Sequence, residues 1–237
     1  MPPSKEIITC NALYSTVGIS FWGGIDPLSG KVIDQTHPLH GECITDKILC
    51  IPSGRGSCTG SQVMLELILN GKGPRAIILR SPDSILCTGA IVAEEFFGDE
   101  CPAMAVPIIC AVGDEKFAQL VDDGDDLLSI KIVGDEGVDE GNICIQSGGD
   151  EIITKDLLKL KDTLELDANN NDVDYLNQLS PAAELALRTV RRVASISGAK
   201  ELIPITSAHI DAVTYIGPGG LKFAQKLVQL GGKVKVK

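Results

Sequence analysis

Residues 48–79 read ILCIPSGRGSCTGSQVMLELILNGKGPRAIIL, and this stretch decides the fold class. A strand-length apolar run at 48–52 enters Pro52 and then a loop of Gly, Ser, Arg and Cys. Within 59–70, Val63 stands four residues before Leu67 and Met64 four before Ile68, which makes one helix face apolar. Gly71 occupies the place of a C-terminal cap, and 75–79 is again short, apolar and rich in Ile. Strand, helix and strand in this order predict a mixed α/β fold.

The loop between strand and helix suits an anion. A helix that opens near 57–60 leaves its first N–H groups without partners inside the helix, and the helix dipole adds positive potential there. Gly54 and Gly56 permit close approach, while the Arg55 guanidinium can grip a carboxylate with two parallel hydrogen bonds. Ser57 and Thr59 are candidates for chemistry, with simple capping of the helix as the other reading. The spacing is neither G-x-x-x-x-G-K-[ST] nor G-x-S-x-G, which excludes a phosphate-loop lysine and a hydrolase elbow.

Beyond this stretch, 237 residues suffice for one large domain or two small ones. Hydrophobic residues at 44% and charged residues at 22% are globular proportions. Lys and Arg number 21 against 32 Asp and Glu, a net charge of −11, which would repel nucleic acid and anionic membrane surfaces. Neither is an expected partner. The eight cysteines show no C-x-x-C and no Cys/His ligand spacing, so most are expected to be buried free thiols rather than zinc ligands or disulfides. The opening MPPSKEIITC has no apolar signal core, and no run reaches the ~18 apolar residues of a membrane span. A cytoplasmic protein is expected.

Strand-like runs recur at 104–106 and 108–112, with short helices expected at 88–97 and 114–121. Acidic turns, VDDGDD and GDEGVDEGN, surround LLSIKIV and NICIQ, which are expected to be edge strands joined by solvated loops. The segment SFWGG at 20–24 and the turn THPLHG at 36–41 place the single Trp and two of the three His in one irregular region. His37 and His40 are either catalytic or part of a structural turn. The polar stretch 160–180 reads as a junction. After it, 180–197 is amphipathic with a basic face at Arg188, Arg191 and Arg192. ELIPIT then reads as a strand, SAHIDAVTYIGPGG as a loop, 221–230 as a helix and GGKVKVK as a final strand.

The blocks SFWGG and GRGSCTGS, with the run between them and the later PAMAV, resemble the small swivelling domain of the aconitase X family. AHIDAVTYIGPGGLKFAQKLVQLGGKVKV is similar to the opening of that family's large catalytic part. The resemblance implies an α/β chain. Its parts would be an aconitase-like swivelling β/β/α domain at 5–147, an acidic polar junction at 148–179 and the start of the catalytic domain, an incomplete α/β unit, at 180–237.

It further implies a hydro-lyase that takes a proton next to a carboxylate and expels hydroxide, acting on a small hydroxy acid such as cis-3-hydroxy-L-proline or mevalonate 5-phosphate. Ser57 resembles the serine that ordinary aconitases use as base, and a hydroxyl at a helix N-terminus beside Arg can have its alkoxide stabilised. Arg55 would hold the substrate anion, assisted by the backbone of Gly56, Cys58, Thr59 and Gly60. His209 and Asp211 in SAHIDA resemble a pair that helps hydroxide depart, a buried structural pair being the alternative.

Iron or an iron-sulfur cluster is implied for the complete family enzyme, with none of its ligands among the residues of this chain. The remainder of the catalytic domain is the partner expected to supply them. A reading from another class is a non-catalytic anion-binding module, or an inactive fragment.

Overall fold

Ile48, Leu49, Cys50 and Ile51 are all fully buried, as are Ala76, Ile77, Ile78 and Leu79, so both faces of these two strands are covered. That is the signature of parallel strands inside a layered α/β sheet. The computed structural model describes residues 4–56, 58–98, 106–124, 126–134, 140–158, 185, 189, 212–214, 225–226, 228–230 and 233–235.

The strands are β1 (Ser4–Tyr14), β2 (Ile25–Asp26), β3 (Lys31–Val32), β4 (Ile48–Ile51), β5 (Ala76–Leu79), β6 (Ile108–Ile109), β7 (Leu127–Gly134), β8 (Glu140–Ser147) and β9 (Asp150–Leu158). The helices are α1 (Phe21–Gly24), a single irregular turn, then α2 (Gly60–Leu69), α3 (Ser84–Phe97) and α4 (Asp114–Asp123). Seven strands form one sheet in the order β6-β5-β4-β1-β7-β8-β9. From β6 to β1 the pairing is parallel, and from β1 through β7 and β8 to β9 it is antiparallel. β2 and β3 make a separate hairpin in the long connection from β1 to β4.

The period-two alternation of strand side chains divides the core. Leu49, Ile51, Ile77 and Leu79 face α2 and α3, where they join Val63, Met64, Leu67, Leu86 and Phe96. Ile48, Cys50, Ala76 and Ile78 point to the other side, into a cluster with Phe117 and Leu120 of α4 and with Ile130, Ile145 and Ile153. α4 also touches β9, so the sheet curls around this second cluster. Each fully buried Ile or Leu contributes about 1.5–3 kcal/mol relative to exposure.

α2 and β5 lie where periodicity predicts them, and the chain turns out of α2 at Gly71 with φ 63°. Other expectations need correction. α3 starts at Ser84 rather than 88, because Asp83 caps it. β6 is two residues long, since the chain leaves extended geometry after Ile109 and reaches Ala111 at φ 57°. β7 is no edge strand, because it is paired on both sides. β9 lies inside the stretch read as junction and, among the described residues, is the last strand of the sheet. Part of the SAHIDAVTYIGPGG loop is a strand, β10 (Ala212–Thr214), parallel to β11 (Lys233–Lys235).

Leu185 and Leu230 pack against the α2 and α3 side of the core. The Leu185 carbonyl accepts from the Thr189 hydroxyl at 3.0 Å. ELIPIT and most of 180–197 lie outside the described residues.

Candidate functional site

Three connections leave the carboxyl ends of neighbouring parallel strands and meet: 15–20 after β1, 52–59 after β4 and 80–83 after β5. Ligands of open α/β sheets bind outside this end. Backbone hydrogen bonds stitch the connections together. The Arg55 N–H donates to the Ile19 carbonyl at 2.9 Å, the Ser15 N–H to Cys50 at 3.0 Å and the Ser81 N–H to Pro52 at 3.1 Å.

Gly54 is the central point of the loop. Its N–H donates to Asp83 Oδ2 at 2.7 Å, and a Cβ there would lie 2.6 Å from the same oxygen, so a side chain at this position would displace the Asp83 carboxylate. Gly56, at φ 103°, turns the chain toward α2 in a conformation that side chains rarely adopt. The other oxygen of Asp83, Oδ1, accepts from the N–H groups of Ile85 and Leu86, both at 3.0 Å. One carboxylate therefore caps α3 and clamps the loop.

The Arg55 side chain is half exposed, and its Nη2 donates to Asp34 Oδ2 at 3.1 Å. Asp34 Oδ1 accepts from the Thr36 hydroxyl at 2.7 Å and the Thr36 N–H at 2.9 Å. The Thr36 hydrogen bonds, with the Arg55 guanidinium beside them, hold the Asp34 carboxyl below its usual range. A guanidinium has five N–H donors, and Asp34 is its ion-pair partner among the described residues.

Beside Arg55 lies a small open recess of about 30 Å³. Phe21, Ile85 and Leu86 give it an apolar wall, Gly54, Gly56 and Gly60 bring backbone to it, and Arg55 and Asp83 supply charge. Trp22 is exposed next to it in sequence, and the Trp22 carbonyl accepts from the Ser20 hydroxyl at 2.7 Å. The recess opens to solvent and has room for a carboxylate or hydroxyl group.

Of the residues expected from sequence, Arg55, Gly56 and Gly60 line this recess, while exposed Cys58 and half-buried Thr59 continue the loop. Ser57, His209 and Asp211 lie outside the described residues. The Thr59 side chain does not cap α2, which opens at Gly60, at the late end of the 57–60 interval. The Ser61 hydroxyl donates to the Cys58 carbonyl at 2.8 Å, so Ser61 is a first-turn helix residue.

His37 is buried and structural. Its Nδ1 accepts from the Leu39 N–H at 3.1 Å, which leaves Nε2 to carry the proton and donate to the Val17 carbonyl at 3.0 Å. His40 is exposed. Asp34 and Asp83 escape a reading by motif, although an Asp just before Ser84 and a helical run is a capping signal, and Asp-x-Thr is turn chemistry.

Among the described residues no three His, Cys, Asp or Glu side chains converge as a metal site. The two carboxylates at the loop are occupied by N–H, O–H and guanidinium donors, so they do not fit as ligands of the iron that the family resemblance implies. The seven described cysteines are unbridged. Only Cys50 and Cys87 among them are buried, fewer than composition suggests. Among the described residues no helix is long and apolar enough to cross a membrane.

These features define a mixed α/β unit with a loop carrying glycines and Arg55 at its strand ends. Residues 3–140 match the aconitase X swivel domain and 163–237 match the aconitase X first domain. The chain belongs to the aconitase X family. It is 41% identical over 228 residues to a cis-3-hydroxy-L-proline dehydratase of Hypocrea jecorina, a match covering 94% of this chain and 36% of that protein's length. A phosphomevalonate dehydratase small subunit of Methanothermobacter thermautotrophicus is 38% identical over 125 residues, covering 53% of this chain and 84% of the relative. The crystal structure of Thermococcus kodakaraensis aconitase X in its holo-form is similar at 29% identity, covering 53% of this chain and 82% of that one, with a TM-score of 0.42.

Proposed function

We propose that this chain provides the swivelling unit and the opening of the catalytic unit of a hydro-lyase that dehydrates a small hydroxy acid. The carrying observation is Arg55, held by its backbone to Ile19 and by its side chain to Asp34, at the mouth of a recess beyond the strand ends. The substrate carboxylate binds the remaining guanidinium donors, and the loop backbone from Gly56 to Gly60 approaches it closely. Ser57, as alkoxide, removes the proton from the carbon next to the carboxylate. The electron pair forms the double bond as the hydroxyl leaves the neighbouring carbon. His209 gives that hydroxyl a proton, so that water departs, and Asp211 orients the imidazole. The family's metal belongs to the remainder of the catalytic unit.

The swivelling unit is assigned to 5–147 with β9 extending its sheet to Leu158, followed by the junction and by the catalytic opening from 180. The recess is open to solvent, so a second body is needed to enclose the substrate. The similarity to a protein named as a small subunit supports a large-subunit-like partner for this surface. The relative covering 94% of this chain favours cis-3-hydroxy-L-proline as substrate, and the small-subunit relative keeps mevalonate 5-phosphate as the second candidate.

The test is dehydration of both acids by the chain combined with the rest of an aconitase X catalytic unit. Turnover that falls by roughly 10²–10⁴ in Ser57→Ala is expected. Anion binding with no turnover in the combined protein would replace the hydro-lyase by a binding module.

A further inference from the structure

We infer that Asp34 is a specificity residue that tunes the Arg55 site toward zwitterionic amino acids and against doubly charged anions such as phosphate esters. The inference rests on the anion-loop reading above. Arg55 is the cation of the recess, yet its guanidinium already carries the Asp34 carboxylate at 3.1 Å. Asp34 cannot swing away freely, because Thr36 holds its other oxygen through both hydroxyl and N–H. The Asp34 N–H is itself bonded to the Gly24 carbonyl, at 3.3 Å.

The second carboxylate at the recess, Asp83, is balanced by three N–H donors and by the N-terminus of α3. Among the described residues, the recess thus offers one guanidinium whose charge is largely compensated. A monoanion can share Arg55 with Asp34. A dianion meets Asp34 at close range with no surplus positive charge to offset the repulsion. A ligand whose carboxylate has an ammonium group beside it instead gains from the Asp34 field. Phe21, Ile85 and Leu86 give the recess an apolar wall that offers a second negative charge no partner.

The experiment is an NMR titration of the whole chain, following the Arg55 Nε–H signal, which is assigned by its loss in Arg55→Lys. The probes are L-proline and inorganic phosphate at mildly alkaline pH, where phosphate is doubly charged. The unaltered chain is expected to prefer L-proline. Asp34→Asn keeps an acceptor for Thr36 and is expected to shift the ratio of the two affinities about tenfold toward phosphate. Asp34→Glu should restore the original order, an outcome that loss of local structure would not produce. A phosphate preference in the unaltered chain, or an unchanged ratio in Asp34→Asn, overturns the assignment to Asp34 and leaves the anion loop standing. Failure of both probes to move the Arg55 signal removes the anion loop and this inference with it.

Discussion

Asp83 and Gly54, twenty-nine residues apart, share a hydrogen bond of 2.7 Å that joins the start of α3 to the loop before α2. Removing the carboxylate in Asp83→Ala deletes a helix cap and leaves the Gly54 N–H without its acceptor. The expected loss of stability is about 2–3 kcal/mol. Asp83→Asn retains one carbonyl acceptor and should lose less. Urea denaturation of the three proteins checks this, and a loss below about 1 kcal/mol for the alanine variant would contradict the double role of Asp83.

The two helices over the sheet approach each other closely at Gly89. A Cβ there would stand 2.4 Å from the Ser61 carbonyl oxygen and 2.8 Å from Met64 Cβ. Ser61 is backbone of the first turn of α2 and cannot yield without moving the loop. Gly89→Ala is therefore expected to destabilise by about 1–3 kcal/mol of overpacking, outweighing a helix-propensity gain of about 1 kcal/mol. A thermal melt with an unchanged or raised Tm would show that the helices can separate at no cost.

The Asp34 carboxyl titrates lower when folded than when unfolded, chiefly through the Thr36 hydroxyl and then its N–H. Its contribution to stability is thus complete above the unfolded value and disappears as pH falls through the folded one. A carboxyl-carbon NMR titration should give a midpoint below the ordinary ~3.9. Thr36→Val, which removes the leading donor, should move that midpoint upward. No movement would mean that Thr36 is not the cause.

Thiol chemistry separates the described cysteines. Burial pushes the Cys50 thiol well above its usual range, and Cys87 is raised by its contact with Cys110, sulfur to sulfur 3.8 Å, and by burial. Cys58 is exposed on the loop. Iodoacetamide labelling of the native chain followed by mass mapping should modify Cys58 well before Cys50 or Cys87, because the thiolate is the nucleophile and must also be reachable. Labelling of Cys50 at the rate of Cys58 would contradict the buried position of β4.

Local patterns in the sequence carry much of this architecture. The four-residue spacing of Val63, Leu67, Met64 and Ile68 specifies α2, and the Gly-rich loop with Arg55 is legible because glycine and arginine have few other uses at a strand end. Pairings between distant residues are not local, and they account for the misreadings. Nothing near Asp83 reveals that Gly54 waits for its second oxygen, and nothing near Asp34 reveals Arg55. The acidic turns on either side of β7 suggest an edge strand, whereas its pairing with β1 is set by residues more than a hundred positions away. His37 looks chemically suggestive beside His40, but its two ring nitrogens are spent on Val17 and Leu39.

β1 belongs to both halves of the sheet: Ser4 to Asn11 pair with β7, while Ala12 to Tyr14 pair with β4. During synthesis this segment emerges before β7, the longer of its two partners, by more than a hundred residues. Such distant closure slows folding. The nascent β1 must stay unpaired along most of its length until β7 arrives, an interval in which a chaperone has its natural opportunity to act.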